Sequence, residues 1–153
     1  MSAELLYHAT AVTWRGNGLL LVGESGSGKS TLAAALIAHG GTLIADDQVW
    51  LRVEDGKLHA APPVELAGVL ELAGLGLMRL SHEQHAPLHL AVRCQTQPAE
   101  RLPLPETLTL LGISLPQVTL NPAAAYSAER LMLWAEAVQE GRVLPEDWRP
   151  VRP

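Results

Sequence analysis

Gly23-Glu24-Ser25-Gly26-Ser27-Gly28-Lys29-Ser30 is the strongest motif of the sequence. It fits the pattern G-x-x-x-x-G-K-[ST] of a phosphate-binding loop at every fixed position. An apolar run at residues 19–22 precedes it, and helix-favouring residues 31–37 follow. A strand, a glycine-rich turn and a helix in this order form the context that the motif requires. The alternative is a Gly/Ser-rich turn that merely opens a helix, and the correct flanks favour a phosphate-bearing ligand.

We call residues 23–30 the phosphate loop, because its chemistry suits a polyphosphate. Glycines let the backbone turn its N–H groups toward the ligand, and the helix that follows adds the positive end of its dipole. Lys29 is expected to reach the terminal phosphates, and the Ser30 hydroxyl is expected to bind Mg²⁺. The predicted nucleotide-binding residues are Gly23, Glu24, Ser25, Gly26, Ser27, Gly28, Lys29, Ser30 and Thr31.

Composition limits the class of protein. At 153 residues with 48% hydrophobic and 4% aromatic residues, the sequence predicts one domain whose core consists of Leu, Val and Ala. The net charge of -5 and the lack of a basic run argue against nucleic acid as a partner. One cysteine, Cys94, allows no internal disulfide, and no stretch resembles a signal peptide or a membrane span. We therefore expect a cytoplasmic protein with no membrane partner.

The segment before the phosphate loop predicts a hairpin. Residues 5–14 have the composition of a strand that carries His8, and residues 15–18, Arg-Gly-Asn-Gly, predict the tight turn. The second strand of the hairpin, residues 19–22, then enters the phosphate loop. His8 therefore lies on a strand close to that loop. Taken by itself, a single histidine on a strand is more simply a structural side chain than a functional one.

Two adjacent carboxylates are expected beside the phosphate loop. Gly40-Gly41 predicts the end of the helix, and residues 42–45 predict a buried strand that leads to Asp46 and Asp47. A strand–helix–strand unit predicts a parallel pair whose carboxyl ends share one edge of the sheet. One carboxylate there could hold a metal ion while the other accepts a proton from an attacking hydroxyl. The alternative is a solvated turn, and both side chains can serve one site only if the strand ends or bends there.

Further along the chain the functional signals are weaker. Glu71 lies in an apolar, glycine-punctuated segment, where it is either an edge residue or a third carboxylate of the site. His82, His85 and His89 have a spacing that could suggest metal binding, but no cysteine or fixed carboxylate completes the ligand set. We interpret that region as a loop that contains histidines.

The last part of the chain predicts more strands and a helix. Residues 108–115 and 117–120 favour strands, and Asn121-Pro122 is typical of an N-cap followed by Pro at the first helical position. Leu131, Trp134 and Val138 give that helix one apolar face. Such a face serves either the core or contacts between subunits.

These motifs together resemble a known family. His8, the phosphate loop, the run Leu43-Ile44-Ala45-Asp46-Asp47 and the segment from Pro63 through Glu71 to Gly74-Leu75-Gly76 stand in the order of the catalytic domain of bacterial HPr kinase/phosphorylase. The spacings from His8 to Lys29 and from Lys29 to Asp46 are also similar to that family. Its motifs cover about the first half of the chain.

The resemblance implies an α/β fold of the P-loop NTPase type that the family shares with phosphoenolpyruvate carboxykinase, with a mixed central sheet and flanking helices. It implies a single catalytic domain over residues 1–153, without the N-terminal regulatory domain of longer members. The implied activity is that of a serine kinase, with phosphorolysis as the reverse reaction, acting on the phosphocarrier HPr. ATP or pyrophosphate would be the donor and Mg²⁺ the cofactor. Homo-hexamers are common in the family.

The resemblance also implies roles for individual residues. Asp46 would be the catalytic base toward the serine hydroxyl, Lys29 would stabilise the transferred phosphoryl group, and His8 would help to handle phosphate. Ser30, Asp47 and Glu71 would form the metal site.

One departure from the family bears on activity. The family signature reads Glu-x-Arg-Gly-Leu-Gly, whereas residues 71–76 here read Glu-Leu-Ala-Gly-Leu-Gly, with Ala73 in place of the arginine. Arg79 and Arg101 are candidate replacements. The alternative function is therefore a nucleotide-binding regulator that kept the phosphate loop but lost efficient transfer. A small-molecule kinase is less favoured, because no arginine-rich lid segment is present.

Overall fold

The computed structural model describes residues 3–145 and 147–151, so both ends of the predicted domain range 1–153 lie outside the described residues. A short 3₁₀ helix spans Val64–Leu66. In chain order, the other elements are β1 (Glu4–Tyr7), β2 (Thr10–Trp14), β3 (Asn17–Val22), α1 (Lys29–Ala38), β4 (Thr42–Ala45), β5 (Val49–Glu54), β6 (Lys57–Ala61), β7 (Val69–Leu72), β8 (Gly76–Arg79), β9 (Ala86–Pro87), β10 (Leu90–Cys94), β11 (Glu106–Leu110), β12 (Ile113–Leu120) and α2 (Ser127–Gln139).

A mixed six-stranded sheet carries the phosphate loop. Its strand order is β11-β12-β10-β3-β2-β4, with β10 parallel to both β3 and β12 and the remaining pairs antiparallel. Every residue of β3 is buried, because this strand is covered on both faces. The α/β class and the mixed central sheet that the sequence predicted are confirmed.

Two hydrophobic clusters lie on the two faces of this sheet. Both helices pack on one face, where Leu36 of α1 and Leu131 of α2 join Leu21 in one cluster. The other face is covered by an antiparallel sheet of order β1-β5-β6-β9, and Leu20 packs there against Leu51 and Leu58. The helices thus flank only one face, and a second sheet takes the other. Leu131 is 1% exposed, so the apolar face of α2 serves the core.

The strand–helix–strand unit brings the predicted site to one edge of the sheet. Strands β3 and β4 run in the same direction, as predicted, but they are not neighbours. β2 lies between them and pairs antiparallel with both. The predicted adjacency is therefore wrong, while the shared edge of their carboxyl ends is retained.

The predicted first strand is in fact two strands. It breaks at His8-Ala9, so that β1 joins the four-stranded sheet and β2 joins the six-stranded one. The hairpin turn also lies earlier than expected. Arg15 and Gly16 have φ of 47° and 78° and form the two-residue turn, whereas Asn17 pairs with Trp14 within the sheet. Two positive φ angles match the twist that a tight hairpin requires.

Two further predictions change in the last part of the chain. A left-handed turn at Leu111-Gly112 splits the strand predicted over residues 108–115 into β11 and β12. The last helix begins at Ser127 instead of Asn121-Pro122. The Asn121 Oδ1 accepts a hydrogen bond from the Ala123 N–H at 3.0 Å, so the asparagine caps a local turn and not the helix.

His89 fixes the β9–β10 connection to the start of β3. The ring Nδ1 of His89 accepts a hydrogen bond from the Gly18 N–H at 2.9 Å, and the backbone N–H of His89 donates to the Gly18 carbonyl at 2.8 Å. Burial, together with the nearby positive charge of Lys57 and His59, lowers the pKa of His89 below its usual 6.5. The ring is therefore a neutral acceptor in the fold.

His89→Asn is expected to reduce the pH dependence of stability. Because the folded pKa lies below 6.5, the unfolded chain binds more protons, so wild-type stability is full above pH 6.5 and falls as the pH drops toward the folded value. Asparagine offers an oxygen acceptor that does not titrate. Denaturant unfolding from about pH 7.5 to about pH 5.5 should show a smaller loss in the variant. An equal fall in the free energy of unfolding of both proteins over this pH range would show that His89 is not the source of the pH dependence.

Candidate phosphoryl-transfer site

The phosphate loop has the conformation that its glycines allow. Gly23, Gly26 and Gly28 have φ of 144°, 83° and 99°. A Cβ on Gly23 would lie 2.5 Å from the Cys94 carbonyl, and one on Gly28 would lie 2.8 Å from the Pro122 ring. Side chains are therefore excluded at both positions by geometry and by space. The loop ends where α1 begins at Lys29, at the positive end of the helix dipole.

Two polar groups in the loop are suited to an anion. The Lys29 Nζ is buried and donates to the carbonyls of Gly23 and Glu24 at 2.8 and 2.9 Å. The Ser27 hydroxyl is also buried, and no hydrogen-bond partner is present for it among the described residues. An unpartnered buried hydroxyl beside the exposed loop residues 24–26 is the kind of donor that a phosphate oxygen would satisfy.

Asp46 is held at the base of the site by three donors. Its Oδ1 accepts hydrogen bonds from the hydroxyls of Thr10 and Ser30 at 2.9 and 2.8 Å, and its Oδ2 accepts one from the Glu71 N–H at 3.3 Å. The residue is 9% exposed. Sequence analysis did not single out Thr10, whose contact with Asp46 depends on the pairing of β2 with β4.

The chain bends at Asp47, and the Asp47 carboxylate has a different partner from the Asp46 carboxylate. Strand β4 ends at Ala45, and Asp47 has a φ of 69° in the left-handed region. Its Oδ1 lies 3.0 Å from the His8 Nε2, and the two side chains are 68% and 48% exposed. The bend that sequence analysis required for both carboxylates to serve one site is thus present.

Two cavities meet at the phosphate loop. One, of about 380 Å³, is lined by His8, Asp47 and Ser25 together with Leu6, Tyr7 and Gln48. The other, of about 470 Å³, is lined by residues 23–27 of the loop and by residues 93–97. Ser25 belongs to both. The site therefore has one wall with Asp47 and an opposite wall with Arg93, a residue that sequence analysis did not propose.

The β7–β8 hairpin brings the signature segment to the same edge. The Glu71 N–H contacts Asp46, while the Glu71 side chain is exposed. Ala73 lies in the exposed turn of this hairpin. The Arg79 guanidinium donates to the Ala67 carbonyl at 3.2 Å. Arg101 lies in the exposed segment that precedes β11. Neither arginine lines the two cavities.

A magnesium nucleotide fits the residues present. Within residues 3–145 and 147–151, no three His, Cys, Asp or Glu side chains are grouped as a metal site. Mg²⁺ in phosphoryl-transfer sites is usually bound by one or two carboxylates together with substrate phosphates, so such a group is not needed. The Ser30 hydroxyl and the Asp46 carboxylate, 2.8 Å apart, are the oxygen donors next to the loop.

Cys94 is not available for chemistry at this site. It is 3% exposed, and burial raises its pKa to about 12, although the positive charge of Lys29 acts in the opposite direction. The side chain is therefore a protonated thiol that packs in the core. Its backbone carbonyl closes the space beside Gly23.

Comparison with known proteins identifies the family. The model of the HPr Serine kinase C-terminal domain matches residues 1–132. The chain belongs to this family. The HPr kinase/phosphorylase of Bordetella pertussis is 34% identical over 150 aligned residues, which cover 90% of this chain and 48% of the relative. That of Clostridium tetani is 41% identical over 78 residues, which cover 51% of this chain and 26% of the relative.

A solved structure supports the fold. The HPr(Ser) kinase/phosphatase from Coxiella burnetii matches with a TM-score of 0.78 and 24% identity, covering 90% of this chain and 97% of that chain. At this identity the likeness shows the P-loop-type domain fold. The chain spans about half the length of the Bordetella relatives, 48% in each case. No helix among the described residues is long and apolar enough to cross a bilayer.

Proposed function

We propose that this chain is a single catalytic domain that transfers a phosphoryl group from magnesium-ATP, or from pyrophosphate, to a serine of an HPr-like phosphocarrier protein. The observation that carries the proposal is the meeting of the phosphate loop with an exposed Asp47–His8 pair at one sheet edge, in a chain of this family. A cytoplasmic location and phosphorolysis as the reverse reaction are part of the proposal.

The donor would lie on the phosphate loop. Backbone N–H groups of residues 23–30, the positive end of α1 and the unpartnered Ser27 hydroxyl would hold its phosphates. The Lys29 ammonium group now donates hydrogen bonds to the Gly23 and Glu24 carbonyls. With a donor bound, one or more of its N–H groups would instead donate to the transferred phosphoryl group. Phosphoryl transfer depends mainly on positioning and on neutralising charge, and these groups supply both.

The geometry favours Asp47 as the base, which exchanges the roles that the resemblance implied for the two aspartates. A general base must come within hydrogen-bond distance of the substrate hydroxyl. Asp47 is exposed and lines a cavity that reaches Ser25 of the loop, whereas Asp46 is 9% exposed and engaged with three donors. A serine on a folded protein substrate can reach the former and not the latter.

In the forward step, the carboxylate of Asp47 accepts the hydroxyl proton of the substrate serine. At the same time the serine oxygen bonds to the terminal phosphorus of the donor. The bond between that phosphorus and the bridging oxygen breaks, and ADP leaves when ATP is the donor, or orthophosphate when pyrophosphate is the donor. His8, 3.0 Å from Asp47, orients the carboxylate. In the reverse step, an oxygen of inorganic phosphate bonds to the phosphorus of the phosphoserine, and the bond from that phosphorus to the serine oxygen breaks. Asp47 returns the proton to the serine oxygen, and the products are the free serine and pyrophosphate.

Asp46 and Ser30 would hold the metal ion from below the loop, with Glu71 beside them. Mg²⁺ would supply charge neutralisation at the phosphates. Thr10 and the Glu71 N–H fix the Asp46 carboxylate against Ser30, which keeps the oxygen donors oriented. Glu71 has an exposed side chain on the β7–β8 hairpin, and we propose it as a further ligand of the metal ion.

A nucleotide-binding regulator is the second candidate, because Ala73 stands where the family signature has arginine. A homo-oligomer, a hexamer by the resemblance, is also part of the proposal, and Leu131 of α2 is not available for its contacts because it packs in the core.

Incubation with magnesium-ATP and a panel of HPr-type carriers, followed by intact mass measurement, tests the proposal. We expect one added phosphate on a carrier serine with the wild type and none with Lys29→Ala. Adding inorganic phosphate to the product tests the reverse step. Nucleotide binding without transfer to any carrier would favour the regulator, and absence of both would contradict the two candidates together.

A further inference from the structure

Arg93 lines the cavity of about 470 Å³ at the phosphate loop, on the side of the loop opposite Asp47. It lies near the carboxyl end of β10, where this strand pairs in parallel with β3 and Arg93 is level with Val22. The next residue after Val22 is Gly23, the first of the phosphate loop. Parallel pairing therefore delivers an arginine to the loop from a distant part of the sequence.

The cavity offers one basic and one acidic side chain. Among the described residues that line it, Arg93 is the only basic one and Glu24 the only acidic one. The Arg93 side chain is exposed, and none of the hydrogen bonds or ion pairs found among the described residues engages it. The Ser27 hydroxyl, buried and unpartnered, belongs to the same lining. Two donors without partners thus border a single cavity.

The wall around Arg93 is held in place by its own hydrogen bonds. The Gln95 side chain donates to the carbonyls of Gln97 and Pro98 at 3.2 and 3.3 Å, and the Gln95 N–H donates to the Leu120 carbonyl at 2.9 Å. The Asn121 side chain donates to the Thr96 carbonyl at 3.2 Å. These bonds fix the backbone that follows Arg93, and Arg93 itself lines the cavity together with residues 23–27 of the loop.

We propose that Arg93 contacts the phosphates of the ligand bound on the phosphate loop and supplies the cationic charge that Ala73 lacks. The inference deepens the proposed function and rests on it. A guanidinium presents its N–H groups as a planar fork that matches two phosphate oxygens, and the bond is charge-assisted. Of the two replacements that sequence analysis considered, Arg79 is engaged with the Ala67 carbonyl and Arg101 lies outside this cavity.

Calorimetric titration with magnesium-ATP and with magnesium-pyrophosphate tests the proposal on the full chain. We expect Arg93→Ala to weaken the binding of both ligands by about tenfold or more, and Arg93→Lys to weaken it less. Arg101→Ala should bind as the wild type does. Because Arg93 is exposed, the thermal unfolding midpoint should not change, which separates lost contact from lost fold.

Three results would overturn the proposal. These are unchanged affinities in Arg93→Ala, a loss confined to ATP, which would place the contact on the nucleoside, or a loss in Arg101→Ala instead. Lys29→Ala separates this failure from failure of the proposed function. If the wild type binds magnesium-ATP, Lys29→Ala does not and Arg93→Ala does so fully, only the Arg93 assignment fails. If the wild type itself does not bind, the proposed function fails with it.

Discussion

Asp47→Asn is expected to lower the rate constant of phosphoryl transfer about a thousandfold while the dissociation constant of magnesium-ATP stays within about twofold. The amide cannot accept the proton of the substrate serine, yet it has nearly the shape of the carboxylate. Asparagine also tolerates the left-handed φ of 69° at this position. Single-turnover transfer to the carrier protein and calorimetric nucleotide binding together give the two quantities.

Asp55→Asn is a matched control for this change. Asp55 is likewise exposed and has a φ of 53°, but it lies in the turn between β5 and β6. We expect transfer at the wild-type rate in this variant. If Asp47→Asn transfers the phosphoryl group at the wild-type rate, Asp47 is not the base. If Asp46→Asn instead shows a large loss of the transfer rate without any change in its Mg²⁺ requirement, Asp46 is the base.

Asp46→Asn is expected to raise the Mg²⁺ concentration required for half-maximal ATP binding by about 10- to 100-fold. The variant keeps one oxygen for the Glu71 N–H and presents its amide to the hydroxyls of Thr10 and Ser30, which can rotate to accept. The fold is therefore retained while the negative charge next to Ser30 is lost. Titration of Mg²⁺ at fixed ATP, with ATP binding as the readout, measures the shift.

Asp46→Ala and Thr10→Val separate the structural part of this effect. Alanine leaves the donors of Thr10, Ser30 and Glu71 without their acceptor, so the free energy of unfolding should fall by about 1 to 3 kcal/mol. Thr10→Val removes one donor to the carboxylate and should shift the Mg²⁺ requirement less than Asp46→Asn does. An unchanged Mg²⁺ requirement in Asp46→Asn would contradict the proposed metal role.

The parts of the fold that the sequence predicted are those set by local pattern. The apolar run before Gly23, the glycines of the loop and the Gly40-Gly41 stop each act over a few residues, and β3, α1 and β4 lie where they were expected. The place of Asp46 and Asp47 beside the loop followed from the direction of those two strands, which survives the insertion of β2 between them.

The parts that sequence analysis missed depend on pairing between distant segments. Nothing local marks the break at His8-Ala9, where the chain leaves one sheet for another, because both halves are equally suited to a strand. Thr10 meets Asp46 across 36 positions, and Arg93 reaches the loop only because β10 takes its place beside β3. The hairpin turn moved to Arg15-Gly16 because the register of β2 and β3 was decided by burial of their apolar faces.

Asp46 and Asp47 are adjacent in the sequence, but their side chains have different environments. Adjacent residues in the sequence become a buried, triply hydrogen-bonded carboxylate and an exposed one, because the strand ends at Ala45 and the chain bends at Asp47. Spacing alone places both at the site. The three-dimensional contacts distinguish the two, and on them rests our proposal that Asp46 serves the metal ion and Asp47 the substrate.

Calorimetric binding of magnesium-ATP to the wild type and to Lys29→Ala tests whether the phosphate loop holds a magnesium nucleotide. We expect saturable one-site binding that requires Mg²⁺ and is lost in Lys29→Ala, while the variant unfolds as cooperatively as the wild type. Absence of binding to the folded wild-type protein, or equal binding by the variant, would contradict it.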